Sequence, residues 1–253
     1  EAIESGIEEI LIITNGSKSC MENHFDHSYE LESRLRDAGK TQDLKVVEGI
    51  AEMANVYYVR QQEPRGLGHA VYCAKSFVED EPFAVLLGDN LVHVEKNEEP
   101  ALLQLIQQYE KVHTSVLGVQ KVEDKDIHRY GIIEPAKKKM SDPRLIQLES
   151  IVEKPQAENA PSNMAVYGRY VFTPELFDVL YEMDEGGERE IHLTEAIKGL
   201  METQTMYAYD FEGVRYDVGD RMGFLRANVD AALRRDDTKE AMAAYIKELA
   251  GKY

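Results

Sequence analysis

The sequence predicts an α/β fold: a mixed, mainly parallel sheet flanked by helices, with a β-rich insertion and a helical tail. Three observations predict it. Apolar runs without polar alternation, at 10–14 (I-L-I-I-T) and 83–87 (F-A-V-L-L), read as strands covered on both faces. Helical stretches alternate with such strands, the pattern of parallel crossovers. Between Tyr130 and Phe172 the alternation stops, and strand-like runs follow one another without a helix.

The run at 10–14 is the first strand. Helices are expected over 17–25, 29–37 and 44–53, with Gly39 ending the second. Residues 55–61 (N-V-Y-Y-V-R-Q) are rich in β-branched and aromatic side chains and read as a strand. Pro64, Gly66 and Gly68 mark a turn into a helix over 69–77. The strand at 83–87 stops at Gly88-Asp89-Asn90, and a helix over 101–111 precedes a strand at 115–120. The β-rich stretch supplies runs at 131–134, 145–152 and 164–172, expected to pair antiparallel and to cover part of a cleft. Lys137, Lys138 and Lys139 fall in a turn between two of these runs and read as a solvated loop. Helices resume over 174–183 and 193–202, a strand covers 205–211, and the tail is helical over 222–235 and 238–250. Ala241, Ala244, Tyr245 and Leu249 give the last helix a mildly apolar face, for its own domain or for a partner subunit.

The 253 residues are enough for one large domain or two small ones, and no repeat, low-complexity segment or linker divides them. Lys and Arg number 29 against 47 Asp and Glu, so the net charge is −18. That balance argues against nucleic acid and against an anionic membrane surface, both of which demand clustered cations. No apolar run approaches the roughly 18 residues of a membrane span, and no secretory signal opens the chain, so the cytoplasm is the expected compartment. Cys20 and Cys73 have no partner motif and read as small packing residues under reducing conditions.

Four patterns point to chemistry, and each has a plain structural reading beside it. In Arg60–Ala70 a strand ends, a Pro and Gly turn follows, and a helix begins. Gly66 and Gly68 there allow a ligand close to the backbone, and Gln61 both donates and accepts, which suits the edge of a pyrimidine. The same turn is equally what a tight structural connection needs, and His69 reads as a structural residue at the helix start. Asp89 ends a buried strand, where open α/β sheets bind ligands, and suits Mg²⁺ held with nucleotide phosphates. A strand-end Asp capping its turn is the plain alternative. Glu153-Lys154-Pro155 offers a carboxylate for a sugar hydroxyl and an ammonium for a phosphate, or else a surface ion pair. Asp217, in Tyr216-Asp217-Val218-Gly219-Asp220, is a second acid beside glycine. A fifth group, His128-Arg129-Tyr130-Gly131, contributes Gly131 as a place of close backbone approach. Serine-hydrolase, zinc-protease and P-loop motifs are absent from the sequence.

Taken in order, these motifs resemble the bacterial UTP–glucose-1-phosphate uridylyltransferases (UDP-glucose pyrophosphorylases), a family of sugar nucleotidyltransferases with a Rossmann-like fold. The resemblance runs along essentially the whole chain. It is carried by S-G-I-E-E-I-L-I-I-T, H-F-D-H-S-Y-E-L-E, E-P-R-G-L-G-H-A-V, D-E-P-F-A-V-L-L-G-D, R-Y-G-I-I, V-E-K-P, A-P-S-N, G-R-Y-V-F-T-P-E and F-E-G-V-R-Y-D-V-G-D. It implies that Gln61 and Gly66 bind uracil, that Asp89 and Asp217 hold Mg²⁺, that Gly131 and Glu153 hold glucose, and that Lys154 meets the sugar phosphate. Asp89, Lys154 and Asp217 are thereby the catalytic residues. It further implies UTP, glucose 1-phosphate and UDP-glucose as small-molecule partners, and a homo-dimer or homo-tetramer. The expected layout is one N-terminally incomplete domain over 1–253: a nucleotide-binding part over 1–125, a sugar-binding part over 126–220 and a helical tail over 221–253.

The sequence also departs from the family. A Gly-rich G-x-G-T-R loop, which cradles the triphosphate in relatives, is absent, and by βαβ arithmetic roughly 30 residues would precede Glu1. The chain as it stands is therefore expected to have little activity. Asn90 stands where a second Asp is usual and where related thymidylyltransferases have Asn, while His192 and Glu195 stand where Gln and Asp are usual. Two other readings stay open on these grounds: a glucose-1-phosphate thymidylyltransferase-like enzyme, and a catalytically silent protein that binds UDP-sugars.

Overall fold

A computed structural model describes residues 1–15, 19–185 and 189–252. Strand β1 (Glu9–Thr14) is followed by helices α1 (Ser19–Phe25), α2 (Tyr29–Asp37) and α3 (Thr41–Ala51), then by β2 (Asn55–Arg60). The expected start of α1 at Ser17 lies outside the described residues. β1 and β2 pair in parallel from Glu9 opposite Asn55 to Thr14 opposite Arg60, as a crossover through helices requires. Their apolar run is only half-buried up to Thr14, so the expectation of full cover on both faces is corrected. Among the described residues this pair is a two-stranded sheet of its own.

Helices α4 (Gly66–Tyr72) and α5 (Lys75–Val78) replace the single helix expected over 69–77. Then come β3 (Phe83–Leu86), β4 (Asn90–His93), α6 (Ala101–Val112), β5 (Val116–Lys121), β6 (Gly131–Pro135), β7 (Leu145–Glu153) and β8 (Met164–Phe172). The chain continues through α7 (Leu176–Glu185), α8 (Leu193–Met201), β9 (Tyr207–Asp210), β10 (Val214–Asp217), α9 (Arg221–Arg234) and α10 (Lys239–Ala250). A six-stranded sheet runs in the order β3-β8-β5-β9-β7-β6, and β4 pairs with β10 beside it.

The mixed α/β class stands, with one correction to its balance. β5 with β9 and β1 with β2 are parallel, whereas β3–β8, β5–β8, β6–β7, β7–β9 and β4–β10 are antiparallel. An unbroken apolar run reports cover on two faces and says nothing of direction. β8 is buried at every residue and runs antiparallel to both neighbours. The cover comes from helices on opposite sides. α6 packs with Val116, Tyr167 and Val171 on one face, and α7 and α8 pack with Leu117, Val119 and Phe172 on the other. The β-rich stretch is antiparallel as expected, and its strands belong to this central sheet.

Phe172 tests that packing. It is fully buried, with its ring 5.3 Å from Tyr170 and 5.9 Å from Phe83. Phe172→Ala should cost about 3–5 kcal/mol, read as a lower urea midpoint at unchanged slope. A loss below about 1 kcal/mol would mean that the two-sided core is not formed as described.

Candidate active site

Gln61 follows β2 directly, and its backbone N–H donates to the carbonyl of Thr14, the last residue of β1 (2.9 Å). It thus stands at the carboxyl ends of two parallel strands, where open α/β sheets bind ligands. Its side-chain Nε2 donates to the Gly66 carbonyl (3.0 Å) and to His69 Nδ1 (2.9 Å). An amide N–H only donates, so His69 orients Gln61 from within α4 through its Nδ1. Gly66 has φ +91, and a Cβ there would lie 2.6 Å from the Ile191 carbonyl oxygen and 2.7 Å from Glu190 Cγ. The Gly68 N–H donates to the Ile191 carbonyl, and the Ile191 N–H to the Arg65 carbonyl (2.8 Å each). On this side the glycines admit a protein segment, residues 190–191.

Gly131 opens β6 opposite Glu153 in the β6–β7 ladder. A Cβ on Gly131 would sit 3.5 Å from Glu153 Oε2 and 3.6 Å from Thr194 Oγ1, so a larger side chain would cover the carboxylate. Thr194 donates its hydroxyl to Glu153 Oε2. Lys154 Nζ lies 3.6 Å from Glu153 Oε1 with 61% of its side chain exposed, so the pair itself adds little stability. The backbone is more telling. Lys154 has φ 44, and its N–H donates to the Tyr130 carbonyl (3.1 Å). A left-handed non-glycine residue costs roughly 1–2 kcal/mol, and here it fixes the end of β7 against the start of β6.

Asp89 lies in the turn between β3 and β4, and Asp217 ends β10. The strand before Asp89 is half-buried and antiparallel to its neighbour, not a buried parallel strand as expected. The β4–β10 ladder sets Asp217 opposite Asn90, and the Val218 N–H donates to the Asp89 carbonyl (2.8 Å). Arg169, itself buried, braces this turn by donating to the Asn90 carbonyl and to Glu1 (2.8 Å each). A Cβ on Gly219 would lie 3.3 Å from both Asp89 Oδ2 and Asp217 Oδ1, so the two carboxylates converge on one small space. Two hard oxygen donors fit a divalent cation such as Mg²⁺ that takes its other ligands from water and phosphate. No group of three or more His, Cys, Asp or Glu side chains suited to a metal occurs among the described residues, so an all-protein cage is not offered.

Asp217 Oδ1 accepts the Gly219 N–H (3.1 Å), and its Oδ2 accepts Arg129 Nη2 (2.5 Å) and the Tyr130 hydroxyl (3.3 Å). Asp89 Oδ1 accepts Asn90 Nδ2 (2.6 Å). Burial first, and then the charges of Glu153 and Asp89, push the Tyr170 hydroxyl well above the ordinary tyrosine range. Tyr170 is therefore a neutral, buried group within the field of both carboxylates.

Contacts and short stretches of chain join Gln61, Gly66, Gly131, Glu153, Lys154, Asp217 and Asp89 into one line. Gln61 bonds to Gly66, which abuts Ile191, and Thr194 in the next turn bonds to Glu153 beside Gly131. Lys154 bonds to Tyr130, which bonds to Asp217, which faces Asp89 across Gly219. Thr194 was missed because its partner is 41 residues away and no local pattern marks it. Arg129 and Tyr170 lay inside motifs already noticed, but nothing in one dimension tells their side chains from their neighbours'. A cavity of about 600 Å³ lined by Gln147, Lys198, Glu202 and Thr205, among others, contains none of these residues.

A family profile described as "Nucleotidyl transferase" matches residues 1–233. The chain is 48% identical over 252 residues to the UTP–glucose-1-phosphate uridylyltransferase of Bacillus subtilis (strain 168), covering 100% of this chain and 84% of that protein. It is 47% identical to UTP–glucose-1-phosphate uridylyltransferase 2 of Staphylococcus saprophyticus, with 98% and 84% covered. Among solved structures, the UTP-bound UGPase of Acinetobacter baumannii superposes with a TM-score of 0.89 at 37% identity, covering 98% of this chain and 85% of that one.

Proposed function

Because the chain belongs to the nucleotidyl transferase family, we propose that it makes UDP-glucose and pyrophosphate from UTP and glucose 1-phosphate. The strongest support is the line of contacts that joins the Gln61–Gly66 end to the Glu153 end through residues 191–194. One ligand with a base at one end and a sugar at the other would lie along it.

The roles follow from the donors and acceptors. The amide nitrogen of Gln61 is taken by Gly66 and His69, which leaves its carbonyl oxygen to accept the N3–H of uracil. Thymine presents the same N3–H, so this contact rejects cytosine but not thymine. Glu153, oriented by Thr194, accepts a glucose hydroxyl, and Gly131 leaves the room for the ring. Lys154 neutralises the glucose 1-phosphate, so that two anions can approach. Asp89 and Asp217 hold Mg²⁺, which when bound supplies charge neutralisation at the transferring phosphate. A phosphate oxygen of glucose 1-phosphate forms its bond to the α-phosphorus of UTP as the bond to pyrophosphate breaks. No covalent link to the chain is needed, and the rate comes from positioning and electrostatics.

The reading carries a layout with it: residues 1–253 belong to one catalytic domain, with nucleotide contacts in 1–125, sugar contacts in 126–220 and subunit contacts in the helical tail at 221–253. Met222, Phe224 and Leu225 on α9 are each more than half exposed, which supports a homo-dimer or homo-tetramer through that tail. No helix among the described residues is long and apolar enough to cross a membrane, and we assign the enzyme to the cytoplasm. The test, on a complete enzyme containing this chain, is pyrophosphate release from glucose 1-phosphate with UTP or dTTP at equal concentration. UTP should exceed dTTP in kcat/KM by at least about tenfold. Preference for dTTP would favour the thymidylyltransferase reading that Asn90 motivates. UDP-glucose binding without release from either would favour a silent binding protein.

A further inference from the structure

We propose that Arg129 is a positioning residue that competes with the divalent cation for Asp217, holding the carboxylate in place beforehand and setting how tightly the cation is then bound. The inference rests on Asp89 and Asp217 being the cation's ligands.

Arg129 ends a short 3₁₀ turn (Asp124–Arg129) just before Tyr130 and β6. Its Nη2 is 2.5 Å from Asp217 Oδ2, and its Cζ is 5.6 Å from the Tyr130 ring centre. Asp217 therefore has a partner on each oxygen: the Gly219 N–H on Oδ1, and the guanidinium with the Tyr130 hydroxyl on Oδ2. Two carboxylates turned toward the same space repel each other. A guanidinium on one of them removes much of that repulsion and keeps the pair poised. It also adds a positive charge beside the place a second positive charge must occupy, and that opposes cation binding.

The surroundings give the guanidinium somewhere to go. Nη2 is already 3.7 Å from Asp220 Oδ2, and Nη1 is 3.8 Å from Asp126 Oδ1. Asp220 is fixed by accepting the N–H groups of Met222 and Gly223 at the start of α9 (3.1 Å each). The Arg129 side chain is 32% exposed, and the carboxylates of Asp126 and Asp220 both lie within 4 Å of it, so it needs only a small swing from Asp217 to pair with them. The arrangement exchanges one counter-ion for another at Asp217 without leaving either carboxylate or guanidinium unpaired.

Mn²⁺ binding to the chain, followed by electron paramagnetic resonance of the free ion, tests this without any turnover. Arg129→Gln should bind Mn²⁺ about five- to tenfold more tightly than the unsubstituted chain, because a neutral amide no longer opposes the ion. Arg129→Lys, which keeps the positive charge beside Asp217, should stay within about twofold of it. Arg129→Met serves as a second neutral variant should Arg129→Gln fold poorly. Equal or weaker binding in the neutral variants overturns the inference, as does a lysine variant that matches them. No binding up to millimolar Mn²⁺ in any form overturns it too. Asp217→Asn separates the two levels. If it binds as well as the unsubstituted chain, the carboxylate reading itself falls. If it loses binding while the neutral Arg129 variants are unchanged, the proposal about Arg129 alone falls.

Discussion

Asp89→Ala lowers Mg²⁺-dependent pyrophosphate release at least about a thousand-fold in a complete enzyme containing this chain, which corresponds to about 4 kcal/mol of lost transition-state stabilisation. The size follows from position. Asp89 Oδ2 and Asp217 Oδ1 converge on the space beside Gly219, and no third carboxylate group among the described residues replaces either one. The fold should survive the change. The Asp89 backbone carbonyl that holds Val218 is untouched by it, and Arg169 still braces the turn through the Asn90 carbonyl. What is lost is the acceptor for Asn90 Nδ2, and leaving that amide without a partner costs about 1–2 kcal/mol. The catalytic loss thus far outweighs the structural one. A pyrophosphate-coupled assay together with the melting temperature measures both. Turnover near that of the parent protein, with the melting temperature intact, would sink the assignment of Asp89.

The parts of this molecule that were legible in the sequence are those written locally. Residues 55–61 show the strand through their β-branched and aromatic content, and β2 spans Asn55–Arg60. Residues 164–172 show β8 through an unbroken run. Strand direction was not legible, because it depends on which partner a strand meets. β3 meets β8, from residues some eighty positions later, and runs antiparallel to it. The candidate site shows the same division. Gln61, Asp89, Glu153 and Asp217 stand in short strings whose chemistry can be read one string at a time. The contacts that tune them cannot. Thr194 reaches Glu153 from the first turn of α8, and Arg129 reaches Asp217 from before β6. Gly66 is a mixed case. Its need for glycine was visible, but its cause, the Ile191 carbonyl, is supplied by a segment more than a hundred residues away.

Gly66→Ala therefore damages stability and nucleotide binding together. Two costs add. The left-handed backbone at φ +91 penalises any Cβ by roughly 1–2 kcal/mol. The Cβ would also lie 2.6 Å from a backbone oxygen, which cannot rotate away, and overpacking of that kind costs about 1–3 kcal/mol. For a chain of this length each kcal/mol is worth roughly 2–4 °C, so the melting temperature should fall by about 5–15 °C. Relief of the overlap has to move the turn away from residues 190–191. That shifts the Gly66 carbonyl on which the Gln61 amide rests, and UDP-glucose or UTP binding should weaken by at least about tenfold. Gly68→Ala is the internal comparison. Its Cβ would meet the buried Ile191 Cγ2 at 2.6 Å and the Ile191 carbonyl oxygen at 2.9 Å, but its backbone is not left-handed, so only the first of the two costs at Gly66 is absent. The loss at Gly68 should accordingly be smaller than at Gly66. Equal losses would place the constraint in the helix start itself. No loss at Gly66 would mean that the 190–191 segment is not seated on the turn, and the continuous path from base to sugar would then be broken at its first link.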